Sequence, residues 1–98
     1  MKVEPTIRYA KDRKKMKKQG KDMNQLDSVI SLLQTGEPLP PEYSDHPLKG
    51  NYKGCRECHI GGKKSDWLLI YQIANNKLIL KLIRTGSHSE LFTSEDID

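Results

Sequence analysis

The stretch Trp67 to Arg84, WLLIYQIANNKLILKLIR, decides the fold of this chain. It holds two apolar runs of strand length, Trp67 to Ile73 and Leu78 to Arg84, which are separated by Ala74 to Lys77. The asparagines of the separating segment tolerate the left-handed backbone region that tight hairpin turns require. We therefore predict an antiparallel hairpin here. Upstream, Tyr52 to Ile60 interleaves polar with apolar residues and predicts one more strand.

The residues before this sheet region carry helical periodicity. Residues 8–20 predict a first helix that is rich in lysine and arginine and ends at Gly20. A second helix begins after Asp22, which is a good N-cap residue, and ends at Gly36. Its apolar positions recur at spacings of three and four, and they are Met23, Leu26, Val29, Ile30 and Leu33. Thr6 to Tyr9 indicate a short edge strand at the start of the chain.

Helices followed by an antiparallel sheet indicate an α+β fold. We expect one domain over residues 1–98, in which two N-terminal helices pack on one face of a twisted antiparallel sheet of three to four strands. Residues 93–98 predict a flexible tail. The chain has no apolar run of membrane-spanning length and no hydrophobic signal region at its start. These features favour a cytoplasmic protein with no membrane partner.

The net charge of +4 is unevenly distributed. Basic residues crowd the first helix, whereas the last residues are acidic. A basic block on a small domain indicates a polyanionic partner, most often a nucleic acid, although a solvated helix face is the alternative. The block consists of Lys11, Arg13, Lys14, Lys15, Lys17, Lys18 and Lys21.

The segment Cys55 to His59, CRECH, has the spacing of a haem attachment motif and of half a zinc site. Haem attachment of this kind requires export, and the chain carries no export signal. A structural zinc site needs a second pair of ligands, and a thioredoxin-like redox pair lies at a strand-to-helix turn. We therefore expect two reduced cysteines in a sheet, with no metal and no cofactor.

The histidines His46, His59 and His88 all lie at loop or strand ends. Together with Asp66 and Arg84 they offer the groups that metal-free RNA cleavage needs. These groups are a base for the ribose 2′-hydroxyl, an acid for the leaving 5′-oxygen and a cation for the charge on phosphorus. On the residue types alone, RNA cleavage is a minority interpretation, and a general RNA-binding domain is another.

Four segments in this order resemble the YafQ branch of the RelE superfamily, which are mRNA-interferase toxins of bacterial toxin–antitoxin pairs. The segments are DHPLKG (45–50), YKGCRECH (52–59), DWLLIY (66–71) and RTGSHSELF (84–92). The resemblance covers about Tyr9 to Phe92. It implies a RelE-like fold similar to that of small microbial ribonucleases. It also implies ribosome-dependent cleavage of mRNA in the A site, with a cyclic phosphate and a 5′-hydroxyl as products.

By position, His46, His59, Asp66, Arg84 and His88 match the catalytic residues of that family. The resemblance implies that His88 is the general acid, that His46 or Asp66 is the base, and that Arg84 stabilises the phosphorane. It further implies two sets of contacts. They are Trp67, Phe92, Lys49 and Lys53 for the substrate, and Lys11, Arg13, Lys14, Lys15, Lys17 and Lys18 for ribosomal RNA.

The partners that the resemblance implies are a cognate antitoxin, the small ribosomal subunit and A-site mRNA. A cationic toxin suits an acidic, partly disordered antitoxin segment that folds on binding. Operator DNA would be contacted only through a DNA-binding domain of the antitoxin. A different class of function is a catalytically silent homologue that only binds antitoxin, ribosome or nucleic acid. The five matched catalytic residues argue against it, because binding alone does not need all of them.

Overall fold

The computed structural model describes residues 1–92, and their helices and strands build on one five-stranded sheet. The strands are β1 (Lys2–Pro5), β2 (His46–Pro47), β3 (Arg56–His59), β4 (Leu68–Ala74) and β5 (Ile79–Gly86). The helices are α1 (Ile7–Lys18), α2 (Met23–Gln34) and the one-turn α3 (His88–Leu91). Single 3-10 turns cover Pro41–Tyr43 and Gly50–Tyr52. The tail expected at 93–98 lies outside the described residues.

The strands lie in the order β1-β5-β4-β3-β2. The β4–β5 hairpin is antiparallel as predicted, and its turn has positive φ values of 53°, 55° and 68° at Asn75, Asn76 and Lys77. β1 pairs parallel to β5, from Lys2 opposite Ile79 onward. The N-terminal strand therefore forms one edge of the sheet, and β2 forms the other.

The α+β class and the packing of both N-terminal helices on one face are confirmed, but details of the sheet prediction are wrong. The sheet has five strands rather than three to four, and β1 is parallel. The edge strand is not Thr6 to Tyr9, because Thr6 Oγ1 accepts a hydrogen bond from Tyr9 N at 3.0 Å and caps α1. The strand predicted from residue 52 shortens to β3, because Gly50 and Gly54 adopt positive φ in turns before it.

The main core lies between the two helices and one face of the sheet. The predicted stripe of α2 lies on this face, where Leu26, Val29 and Leu33 are buried and Met23 and Ile30 are half-buried. The sheet and α1 complete the core with Tyr9, Met16, Cys58, Ile60, Trp67, Leu69, Tyr71, Leu80 and Leu82. The apolar spacing of α2 therefore marks core residues.

A smaller core on the other side of the sheet holds α3 in place. It consists of Leu48, Leu68, Ile70 and Leu91, with Tyr52, Cys55, Ile83 and Phe92 half-buried around it. β5 extends past the predicted run that ends at Arg84 to Gly86, and Ser87 then caps α3. A Cβ on Gly86 would lie 3.3 Å from Leu91 Cδ2, which is why a glycine fits where α3 meets the strand.

No helix within residues 1–92 is both long enough and apolar enough to cross a membrane.

Candidate active site

One half of the site lies on the β2–β3 pair, where the register places His46 opposite Glu57. His46 Nε2 is 2.8 Å from Glu57 Oε2, and His59 Nε2 is 3.7 Å from the same oxygen. The Glu57 side chain is 1% exposed, and its Oε1 has no hydrogen-bond partner within residues 1–92. A buried carboxylate is costly unless a positive charge lies beside it. Glu57 therefore places a buried carboxylate against both imidazole rings.

The ring orientations of these two histidines follow from their backbone partners. His59 Nδ1 lies 3.0 Å from Ser65 O, and a carbonyl oxygen only accepts, so Nδ1 donates and Nε2 is left to exchange a proton. His46 Nδ1 lies 3.2 Å from Pro47 O, while Nε2 faces the Glu57 carboxylate. Both ring nitrogens of His46 thus face oxygen atoms that can accept a hydrogen bond.

The other half of the site is the Asp66–His88 pair at the start of α3. Asp66 Oδ1 accepts from His88 Nδ1 at 2.8 Å and from the His88 backbone N–H at 3.2 Å. These two hydrogen bonds hold the pKa of Asp66 below its ordinary value, and the bond from the His88 ring has the larger effect. His88 Nε2 is the nitrogen left for a substrate. The pair is open, with the Asp66 side chain 66% and the His88 side chain 50% exposed.

The two halves meet at the rings of His59 and His88, whose centroids are 6.0 Å apart. Rings this close leave no room for a phosphodiester between them, so a substrate would lie along the side on which both rings are open. Aromatic rings continue from there, because the Phe92 centroid is 5.8 Å from that of His88 and 5.6 Å from that of Tyr52. The structure therefore brings together the sequence-predicted His46, His59, Asp66, His88 and Phe92.

Arg84 was expected to bind phosphate, but in the structure its guanidinium makes an ion pair with Asp12. Its Nε and one terminal nitrogen donate to the two carboxylate oxygens of Asp12 at 3.0 and 2.9 Å. Asp12 also accepts from Thr85 N at 3.2 Å. These bonds to Asp12 are the main reason why the pKa of Arg84 is raised, and the Tyr52 hydroxyl contributes less. The planar guanidinium is thus anchored to α1, with Tyr52 on another side.

Trp67 is buried, at 4% exposure, where a substrate-stacking side chain was expected. Its Nε1 donates to Thr85 Oγ1 at 2.9 Å, and Thr85 in turn donates to Leu68 O at 2.7 Å. The indole is therefore fixed within the main core and does not offer an open face. Its ring does approach the surface at Lys21, whose Nζ lies 5.8 Å from the ring centroid.

The basic residues divide into bound and exposed groups. Arg13 makes a two-point ion pair with Asp27 at 2.7 and 2.9 Å, and Lys15 pairs with Glu90. The exposed lysines of the predicted contact sets that make no ion pair within residues 1–92 are Lys11, Lys14, Lys17, Lys18, Lys49 and Lys53. Arg13 and Lys15 are thus less available for RNA than the sequence suggests.

Two residues of the site escaped the sequence analysis. Glu57 was passed over inside the cysteine motif, although its place two residues before His59 puts both side chains on one side of a strand. Asp12 is the one acidic residue of α1 and lies at helical spacing between the buried Tyr9 and Met16. That spacing was the signal that it points inward.

The His46–Glu57–His59 cluster has the donor set of a metal site. One ligand atom from each residue lies within 4.8 Å of the others. Imidazole nitrogens with a carboxylate suit divalent transition metals, and the unpaired Glu57 Oε1 leaves coordination capacity. The cysteines do not join this set, because Cys58 packs into the main core and Cys55 into the smaller one. Burial raises the pKa of both thiols.

Comparison with known proteins leads to one family. The family model described as "Bacterial toxin of type II toxin-antitoxin system, YafQ" matches residues 1–93. A curated relative from Escherichia coli (strain K12), named "mRNA interferase toxin YafQ", is 42% identical over 91 residues, which are 92% of this chain and 94% of that protein.

Solved structures agree with that result. The "Crystal structure of the E. coli DinJ-YafQ toxin-antitoxin complex" matches with a TM-score of 0.80 and 41% identity, covering 93% of this chain and 96% of that one. The "Crystal structure of metal-bound toxin from Helicobacter pylori" matches with a TM-score of 0.83 and 47% identity, covering 94% and 99%. The resemblance found in the sequence is confirmed.

Proposed function

Because the chain belongs to the YafQ family of bacterial type II toxins, we propose that it is an mRNA interferase, an endoribonuclease that a cognate antitoxin neutralises. One observation carries this proposal for the chain itself. Two carboxylate–imidazole groups, Glu57 with His59 and Asp66 with His88, face each other with ring centroids 6.0 Å apart. Such a pair supplies both an acid and a base to one phosphodiester.

The roles follow from which nitrogens are free. His88 is the general acid, because Asp66 holds its Nδ1 and leaves Nε2 for the leaving 5′-oxygen. His59 is the base, because Ser65 O holds its Nδ1 and leaves Nε2 for the proton of the ribose 2′-hydroxyl. The imidazolium that forms lies beside the buried Glu57 carboxylate. This proposal replaces the expectation that His46 or Asp66 is the base, since His46 and Asp66 are already engaged.

The charge that builds on phosphorus needs cations. Arg84 supplies one from a position fixed by Asp12, which is the preorganised kind of electrostatic stabilisation. The exposed Lys49 and Lys53, on the connection between β2 and β3, add contacts to the backbone phosphates. Phe92 offers a ring beside His88 against which a base can stack.

We propose that cleavage depends on the ribosome and occurs in the cytoplasm. The reacting pair is open on its His88 side, so the protein alone holds an RNA strand weakly in the attack geometry. A ribosomal A site that presents the mRNA in a fixed conformation would supply this positioning, which is a large part of catalysis. The basic face of α1 suits ribosomal RNA phosphates.

Primer extension on an mRNA translated by purified ribosomes tests the proposal. We expect new ends within A-site codons in the presence of the protein, and a loss of at least a hundredfold in cleavage rate for His88→Ala. Lys77→Ala, in the hairpin turn at the other end of β4 and β5, is the matched control and should cleave normally. Equal cleavage by His88→Ala would refute the assignment of the acid. Cleavage of free RNA at the same rate would refute the ribosome dependence.

The partner that neutralises the toxin is an antitoxin, and we propose that its binding segment is acidic and partly disordered. The positive charge of the exposed α1 lysines favours such a segment. Operator DNA is then reached through the antitoxin. Size-exclusion chromatography of the co-expressed chains should show co-elution, and separate elution at micromolar concentration would contradict the proposal.

A second proposal concerns the His46–Glu57–His59 cluster, because a relative from Helicobacter pylori is described as metal-bound. A divalent transition metal held by this cluster would occupy His46 and His59 and so inhibit cleavage. Titration with Zn²⁺ should lower the cleavage rate and shift the two ring signals in NMR spectra, and chelator should reverse both effects. Unshifted His46 and His59 signals would rule the site out.

The catalytically silent alternative remains testable by the same primer extension. A binding-only homologue would slow translation without producing new mRNA ends, and His88→Ala would then be as inhibitory as the parent.

A further inference from the structure

A cavity of about 280 Å³ lies next to Asp66. It is bounded by the residues after α1, by the start of α3 and by Trp67. The lining residues that matter for its chemistry are Gln19, Lys21, Asp66, Trp67, Ser89 and Glu90. Asp66 thus forms a wall shared by the cavity and the acid His88, because its Oδ1 holds the His88 ring.

The lining combines an aromatic surface with polar groups of both kinds. Trp67 contributes its indole, and the Lys21 ammonium is held 5.8 Å from the indole centroid. Lys21 and Gln19 can donate hydrogen bonds. Asp66 Oδ2 can accept one, because both bonds from His88 go to Oδ1. Lys21 also lies close enough to Asp66 to help lower the pKa of that carboxyl.

These groups fit a nucleobase better than a phosphate. A phosphate in the cavity would meet the carboxylates of Asp66 and Glu90, and Lys21 is the one cation among the described lining residues. A base edge carries donors and acceptors side by side, as the lining of this cavity does. An RNA strand whose cleaved phosphodiester lies at His88 would pass Asp66, and the base next to that phosphodiester would then reach the cavity.

We propose that this cavity is a subsite for the nucleobase next to the cleaved phosphodiester, with Lys21 and Gln19 as its recognition residues. The inference rests on the proposed function and extends it, since it assigns a second contact region to the same RNA strand. It gives the segment after α1 a role in substrate choice in addition to any contact with ribosomal RNA.

Fluorescence tests the subsite without requiring cleavage, because Trp67 is the only tryptophan of the chain. The probes are a trideoxyadenylate, which lacks the 2′-hydroxyl and cannot be cut, and the same trimer with an abasic central residue. We expect the first to change the Trp67 emission and to bind about tenfold more tightly than the second, as is usual for one base contact. Lys21→Met should abolish this difference. Lys77→Met, in the turn between β4 and β5, should keep it.

Two results would overturn the subsite. Equal binding of the normal and abasic trimers would show that the strand is held by its phosphates, and an unchanged emission at millimolar trimer would show that the cavity takes no base. Gln19→Ala gives a second variant if Lys21→Met does not fold.

Cleavage assays on the ribosome would then show which base of the codon occupies the cavity. An abasic substitution at one codon position should slow the parent about tenfold and leave Lys21→Met unaffected. Equal slowing of both proteins at every position would contradict the subsite. If His88-dependent cleavage does not occur at all, the proposed function fails, while the fluorescence result still decides whether the cavity binds a base.

Discussion

At the residue scale, Glu57 is the side chain around which the histidines are arranged. Its buried carboxylate contacts His46 and lies 3.7 Å from His59. A charge buried in this way usually reduces stability, and such residues are kept where a function needs them. We therefore expect that Glu57 is present for the reaction rather than for stability.

Glu57→Gln should lower the cleavage rate roughly a hundredfold and should also lower thermal stability, because it removes one partner of a buried pair. The amide keeps the volume but removes the charge that stabilises an imidazolium at His59. Single-turnover cleavage rates and calorimetry would measure the two effects. The exposed Glu42→Gln is the matched control. An unchanged cleavage rate of the folded variant would exclude a role for Glu57 in catalysis.

The site residues show what a sequence pattern can predict at this scale. His46, His59, Asp66 and His88 were predicted and do converge. The state of Arg84 was not predictable, because its partner Asp12 lies 72 residues away and only the packing of α1 on β5 brings the two together. The burial of Trp67 was not predictable either. Its indole N–H donates to Thr85, and nothing in the local sequence indicates this bond.

At the scale of elements, α3 is a single turn whose position depends on its cap. Ser87 Oγ accepts from Glu90 N, and Glu90 Oε1 accepts from Ser87 N at 2.9 Å, which together form a capping box. Glu90 also pairs with Lys15 of α1. Because His88 is the first residue of α3, these bonds fix the acid against the sheet.

Glu90→Gln should destabilise the protein by about 1 kcal/mol at pH 7, because it keeps the capping box and removes the ion pair. Hydrogen bonding to Lys15 is the main reason why the pKa of Glu90 is lowered to about 2. A folded pKa below the unfolded one contributes stability that is complete above the unfolded value, near 4.5, and is lost as the pH falls towards about 2. Urea unfolding at pH 7 and at pH 2.5 would measure the difference between variant and parent. That difference should shrink at the lower pH, and a constant difference would contradict the assignment to the ion pair.

The elements also show why some boundaries were predicted and others not. The hairpin was predicted from two apolar runs on either side of two asparagines. The helix α2 was predicted from an apolar stripe that follows an N-cap residue. β1 was misplaced because four residues carry little periodicity, and its strand state depends on pairing with β5, which is distant in sequence. β3 is shorter than predicted because Gly50 and Gly54 form turns before it, and the sequence does not show where those turns end.

At the scale of the whole molecule, the charge is distributed in a way that suits a large polyanion. The exposed lysines of α1 lie outside the main core, while Arg13 and Lys15 are paired with acidic side chains. The unpaired lysines should therefore carry most of the salt-dependent attraction to ribosomal RNA.

Lys18→Ala should weaken ribosome binding and reduce the slope of log affinity against log salt by about 1, because one phosphate contact is lost. Lys77→Ala, in the hairpin turn, should leave the slope unchanged. Arg13→Ala should reduce stability more than the slope, because it breaks the pair with Asp27. Binding measured by co-sedimentation over a salt series would show this, and equal slopes for parent and Lys18→Ala would exclude Lys18 as a contact.

The parallel pairing of β1 with β5 gives the chain an order of assembly. Lys2 lies opposite Ile79 and Pro5 opposite Leu82, so the first strand to be synthesised waits for the last. Contacts between such distant residues form late, because a long loop must close first. Translation supplies about 5–20 residues per second. β1 therefore has no sheet partner until β5 has been synthesised, so the edge of the sheet that bears β1 is completed last.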